Sequence, residues 1–233
     1  MAWAYVQSTT AAATGAATGA ITTPSSVSAG SLIVVFTGDG NTADTLTCSK
    51  TAGTSTIGAV TTFGTATDGT SASQVAGFWC VVNSSGTLTM TVAGGSNGGI
   101  QQRAIAEYSG GSTAPNDSTP AGQNGTAGSA TANADTAPTV TPSVTNDIVI
   151  AWIWDDQNGG ANTYSAGTSP AAFTQDEKSN VQCVEHFVNV GSSAVQPTFT
   201  GSGTDRYMSI AGAFKLAGAA TTVISLLQWG HGR

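Results

Sequence analysis

Two apolar runs, SLIVVF from Ser31 and DIVIAWIW from Asp147, begin 116 residues apart, and each runs on to aspartate, Asp39 in one and Asp155 with Asp156 in the other. Short, nearly continuous apolar runs bounded by turn residues predict strands covered on both faces, or nearly so, at the centre of a packed sheet. The repetition continues downstream. GFWCVVNSSGTLTMTVAGG from Gly77 is answered by VEHFVNVGSSAVQPTFTGSG from Val184, a strand, turn, strand pair in each case. AIAEYSG from Ala104 and SIAGAFK from Ser209 close the two halves, and the spacing has drifted to about 105 residues.

Helical periodicity of useful length is absent, while β-branched and aromatic runs bounded by Gly, Asn, Asp, Ser and Pro recur. The expected fold is all-β: a two-sheet β-sandwich of jelly-roll type built from two related four-stranded halves, with a C-terminal extension. The sandwich spans 1–216, with halves at about 1–110 and 137–216. Residues 111–136, which hold almost nothing apolar larger than alanine, read as a surface linker. The closing strands are expected where a sheet terminates, with Ile105 and Ile210 pointing inward. Because each half alone would leave a sheet face uncovered, the chain should fold as one cooperative body.

Composition excludes several functions. Charged residues are 8% of the chain, the net charge is −7, and the six Lys and Arg are spread singly, so no basic stripe exists for nucleic acid. No run of about eighteen apolar residues predicts a membrane span, and no signal peptide is legible at Met1, so synthesis in the host cytoplasm is expected. Cys48, Cys80 and Cys183 lack zinc-ligand spacing and read as buried free thiols.

These motifs, AWAYVQSTT, SAGSLIVVF, FWCVV, TLTMTV, AIAEYSG and IAGAFK, resemble a jelly-roll-like β-sandwich module, marked by an EYSG strand motif, found in bacterial surface proteins and phage structural proteins. The resemblance covers roughly residues 2–216. It implies the sandwich fold and carries no catalytic residues, and the tail from Leu216 lies outside it.

Candidates for chemistry are few. Glu107 stands among small apolar neighbours, and its counterpart in the second half reads as Gly212, so a structural role accepting hydrogen bonds is expected. His186 and Glu185 are adjacent in a strand and point to opposite faces, and His231 is in the tail, so no nucleophilic triad is assembled. The acidic loops Asp39–Asp44 and Asp155–Asn158 follow equivalent strands and offer oxygens of the kind Ca²⁺ uses, yet without EF-hand spacing; solvated turns are expected. Trp152 and Trp154 share one face of their strand and read as core, with a sugar platform as the competing reading. Neither a cofactor nor a metal is expected.

The reading that follows is a non-enzymatic structural protein of a virus particle, a phage capsid decoration, head-fibre or tail-associated subunit, located in the virion. Its partners would be further copies of itself and other virion subunits. Residues 217–233 are expected to dock on another subunit through Val223, Ile224, Leu226, Leu227 and Trp229, which crowd five large apolar side chains outside the duplicated pattern, with completion of the protein's own sandwich as the alternative. The competing reading is a carbohydrate-binding or adhesive module of a bacterial surface protein, with a host-surface glycan as ligand.

Overall fold

In the computed structural model, the described residues of each half form eight principal strands in the same order. The structure describes residues 2–12, 16–40, 45–68, 73–94, 99–117, 128–129, 135–155, 163–179, 181–188, 191–202 and 206–217. The first half runs β1 (Ala4–Ala11), β2 (Thr18–Thr22), β3 (Leu32–Asp39), β4 (Thr47–Ala52), β5 (Thr61–Asp68), β6 (Ser73–Ser84), β7 (Thr89–Ala93) and β8 (Ile100–Ser109). The second runs β9 (Gly111–Asn116), β10 (Asp135–Thr136), β11 (Ile148–Asp155), β12 (Tyr164–Ala166), β13 (Thr174–Ser179), β14 (Gln182–Val188), β15 (Thr198–Gly201) and β16 (Arg206–Leu216). Two short strands, Thr56–Ile57 and Gly128–Ser129, add to β6 and β16.

The first half is ordered β1-β8-β3-β6-β5 in one sheet and β2-β7-β4 in another; adding eight to every number gives the two sheets of the second half. A chain that alternates between two antiparallel sheets and lays its last strand beside its first has jelly-roll connectivity. The all-β sandwich expected from the sequence is present. Each half, however, forms a two-sheet sandwich of its own, with eight principal strands among the described residues, rather than a four-stranded contribution to one.

Four sheets therefore stack with three cores between them. Ile33, Val35, Phe78, Cys80 and Ile105 face Ile21, Met90 and Val92 of the small sheet of the first half. On the opposite face Leu32, Val34, Phe36, Ala106 and Tyr108 meet Ile148, Ile150, Trp152, Trp154, Ile210 and Phe214 of the second half. Val149, Ala151, Ile153, Cys183 and Ala213 then face Tyr164 and Phe199. Every residue of β3 and β11 is buried, which explains their unbroken apolar runs: the two large sheets lie in the middle of the stack. The shared central core ties the two halves into one body.

That middle layer is locked by aromatic rings. Phe36 stacks on Trp152 at 5.7 Å and meets Phe63 edge-on at 5.9 Å, and Phe63 in turn meets Phe214 at 5.4 Å. Phe63 fits because Gly77 and Gly212 leave room; a Cβ on either would stand 2.3 or 2.7 Å from its ring. The halves join at Gly110, whose φ of 100° lets β8 pass directly into β9.

The pairing corrects three sequence expectations. First, β8 and β16 lie inside their sheets, each flanked on both sides, and do not terminate them. Second, Leu32 pairs with Tyr108 while Ile148, its counterpart, pairs with Phe214, so the true offset of the closing strands is 106 residues. The counterpart of Glu107 is therefore Ala213, not Gly212, and Gly212 answers Ala106. A one-residue slip exchanges the faces of a strand, so Ile105 points into the first half's own core whereas Ile210 points between the halves. Third, the stretch read as a linker begins with β9 and ends with β10, both paired into the second half.

Candidate functional site

The densest group of chemistry-bearing side chains lies at the seam where β1 and β8 meet β13 and β14. A bulge between Tyr5 and Gln7 resets the register of β1, so Tyr5 and Ser8, three residues apart, both turn toward the second half. Their hydroxyls are 2.8 Å apart. Tyr108 follows on β8 beside Tyr5, with ring centroids 6.1 Å apart. From the second half, β13 brings Asp176 and Glu177, and β14 brings His186.

Asp176 is the hub. Its side chain is fully buried, Oδ1 lies 2.6 Å from His186 Nδ1, and Oδ2 accepts a short hydrogen bond from the Tyr108 hydroxyl. Its backbone carbonyl accepts from Ser8 Oγ at 3.0 Å and from Tyr5 at 3.3 Å. Burial first, and then Asp176 itself, hold the Tyr108 hydroxyl well above the ordinary tyrosine range, so it remains a neutral donor. The imidazole stacks on Tyr5 at 6.4 Å and meets Tyr108 edge-on at 5.7 Å.

A histidine, an aspartate and a serine within one cluster invite comparison with a nucleophilic triad. The connectivity differs. Acyl transfer needs the hydroxyl bonded to the imidazole and the imidazole bonded to the acid, whereas the Ser8 hydroxyl bonds Tyr5, the Asp176 backbone and, at 3.5 Å, Glu177. The cluster ties two halves together through one buried carboxylate.

Around the corner of the same seam, Gln182 donates to Gln102 Oε1 at 2.7 Å and accepts from Trp152 Nε1 at 3.0 Å. These glutamines, with Thr10, Ala12, Ser179 and Val181, line an open groove of about 450 Å³. The described residues of its walls carry amides and hydroxyls.

Glu107 answers the role expected of it: fully buried, it accepts from Gln7 Nε2 at 2.6 Å and from the Ser28 backbone N–H at 2.9 Å. Glu107→Ala would strand both donors and should cost about 3 kcal/mol in denaturant unfolding, while Glu107→Gln, which retains one acceptor, should cost about 1 kcal/mol. Equal losses from the two changes would contradict this account. As expected, Glu185 and His186 face opposite sides, Glu185 toward the second half's own core and His186 toward the seam. Glu185 accepts from Gly167 N–H at 2.9 Å, and burial pushes its carboxyl up to about 8.

Trp152 and Trp154 stack 6.4 Å apart inside the shared core, 0% and 3% exposed, so the sugar-platform reading of this pair is excluded. Cys80 and Cys183 are buried and Cys48 half-buried, all three as free thiols; burial holds Cys48 and Cys80 up to about 12. Asp39 and Asp155 cap β3 and β11 at the same end of the stack, as the contact of Gly38 with the Trp154 ring requires, and both are buried. The rest of the two acidic loops lies largely outside the described residues. Among the described residues no group of three or more His, Cys, Asp or Glu is arranged to hold a metal ion.

The tail residues Val223, Ile224, Leu226, Leu227 and Trp229, with His231, lie outside the described residues. The last described residue, Ala217, donates its N–H to the Gly110 carbonyl at 2.8 Å, beside the junction of the halves.

Sequence reasoning missed Asp176, Tyr108, Tyr5 and Ser8 as a group. TQDEKS carries no apolar residue that would mark a buried face, and its aspartate is covered where β1 lies against β13. No protein-family model, curated protein or solved structure matches this chain.

Proposed function

We propose that this protein is a non-enzymatic structural subunit of a virus particle, a phage capsid decoration, head-fibre or tail-associated component that assembles through its termini. The observation that carries the reading is the duplicated jelly roll, stacked back to back on a shared aromatic core. Jelly rolls serve as viral capsid and lectin domains, so the reading rests on architecture rather than on a reacting group. The buried acids described above are engaged in internal contacts, which suits a rigid building block. Copies of the chain and other virion subunits are its proposed partners, with the tail as the docking element.

The groove lined by Gln102, Gln182, Ser179 and Thr10 supports a second reading, a carbohydrate-binding or adhesive module. Neutral amides and hydroxyls are the groups that recognise sugar hydroxyls, and a decoration protein exposed on a particle can use both roles. Proteomics of density-purified particles from the native host tests the first reading: the chain should co-sediment at a fixed stoichiometry to the major shell protein. Its absence from such particles, together with glycan-array binding that is lost in Gln102→Ala, would replace the structural reading with the adhesive one.

A further inference from the structure

The second half contains a lysine and two aspartates that its twin lacks. Asp117 follows β9, Asp147 precedes β11 and Lys215 lies near the end of β16, so the first, central and last strands of the second half's large sheet converge on one point. Both aspartates are 0% exposed. Lys215 Nζ stands 3.7 Å from Asp117 Oδ1, with the lysine side chain two-thirds covered. Oδ2 of Asp117 accepts a short hydrogen bond from the Ser143 backbone N–H. The Asp147 carboxyl lies against the Asp117 carboxyl, and among the described residues neither of its buried oxygens has an N–H donor, so a proton held between the two acids is the partner left to it. In the first half the equivalent positions are Gln7, Ser31 and Ser109, which carry neither an acid nor an amine.

We propose that Lys215 and Asp117 condense spontaneously into a side-chain amide that cross-links the first and last strands of the second half, with Asp147 relaying the protons. Nζ attacks Cγ of Asp117 while the Ser143 N–H steadies the oxyanion on Oδ2. Asp147 hands its proton to the departing Oδ1 and takes one from Nζ. The Nζ–Cγ bond forms, one Cγ–O bond breaks, two of the three ammonium protons leave with the oxygen as water, and Asp147 ends as it began. No oxidant or cofactor enters the balance.

Two physical factors favour the step. Fixing amine and carboxyl against each other on paired strands replaces an encounter between separate molecules by an internal one. The buried Asp117 carboxylate and the partly covered ammonium also carry a desolvation penalty that a neutral amide does not, so the product suits the site better than the reactants. Burial, followed by the contact with Asp117, raises the Asp147 carboxyl to about 7, where one group can both donate and accept a proton near neutral pH.

Intact-mass measurement of the purified full chain tests this. The wild-type protein should be lighter than its sequence by one water, and peptide mapping should recover a branched peptide joining Asp117 to Lys215. Lys215→Arg keeps the charge and cannot form the bond, so it should have its full sequence mass. Asp147→Asn should lower the rate of cross-linking about a hundredfold, within the range general acid–base relays supply. A wild-type chain at full sequence mass after prolonged incubation at neutral pH overturns the proposal, whether or not either variant folds. A water loss that persists in Lys215→Arg, or that maps to another aspartate, overturns it equally, and an undiminished rate in Asp147→Asn removes Asp147 from the relay.

Discussion

Replacing Trp152 by alanine is expected to lower unfolding stability by about 5 kcal/mol, a large share of the roughly 5–15 kcal/mol a domain possesses. The indole is 0% exposed, stacked on Phe36 from the other half and on Trp154 from its own strand. Removing a buried aromatic of this size costs about 3–5 kcal/mol. The change also strands Gln182 Oε1, which accepts the indole N–H, at about 1–3 kcal/mol for an unpaired buried acceptor. Trp152→Phe should recover most of the packing and lose only the hydrogen bond. Urea titrations followed by circular dichroism read both effects. A single transition is expected in every variant, because the ring lies in the layer the two halves share. A loss below about 1 kcal/mol, or separate transitions for the two halves, would contradict the stacked arrangement.

The central place of β3 and β11 was legible in the sequence, for a reason visible in the strands themselves. A strand covered on both faces needs apolar residues at every position, and SLIVVF and DIVIAWIW display that demand without ambiguity. The same property hid the register of the closing strands. AIAEYSG and SIAGAFK are similar enough to align isoleucine on isoleucine, and where both faces of a strand are buried even Glu107 lies inside and does not mark a solvent face that would betray a one-residue slip. Only the partners of Leu32 and Ile148 settle it.

The halved strand count has a different origin. β9 is GSTAPN, a short segment of small residues, and β12 is the three-residue YSA, which buries only Tyr164 in the core. Their pairing follows from the strands beside them rather than from their own composition. The seam was illegible for a third reason. Tyr5 and Asp176 are 171 positions apart, and Ser8 joins them only because a bulge near Val6 turns it to the same face as Tyr5.

The second large effect concerns Glu185, which faces the core between β14 and the small sheet of the second half. Its carboxyl is 0% exposed, Oε2 accepts the Gly167 N–H, and Oε1 is buried with no hydrogen-bond partner among the described residues. Burial is the main cause that raises it from 4.5 to about 8; the Gly167 hydrogen bond pulls it down, and the negative charge of Asp176 pushes it up. A raised acid binds its proton more tightly in the folded chain than in the unfolded one. Its stabilising contribution is therefore fully present below pH 4.5, is lost progressively as pH rises to about 8, and is flat above that. Each tenfold difference in proton affinity between the folded and unfolded chain is worth about 1.4 kcal/mol, so the loss is on the order of 5 kcal/mol. Glu185→Gln keeps an oxygen for Gly167 and has nothing to ionise. The variant should match the wild type near pH 4.5 and exceed it by several kcal/mol near pH 9, measured by urea unfolding at each pH. Asp147, raised to about 7 by the same physics, gives a parallel slope between 3.8 and 7 to any chain in which it remains free to titrate. The difference between variant and wild type isolates Glu185, because that slope is common to both. Curves that stay parallel from acid to base would mean that Glu185 reaches solvent and ionises at its ordinary value.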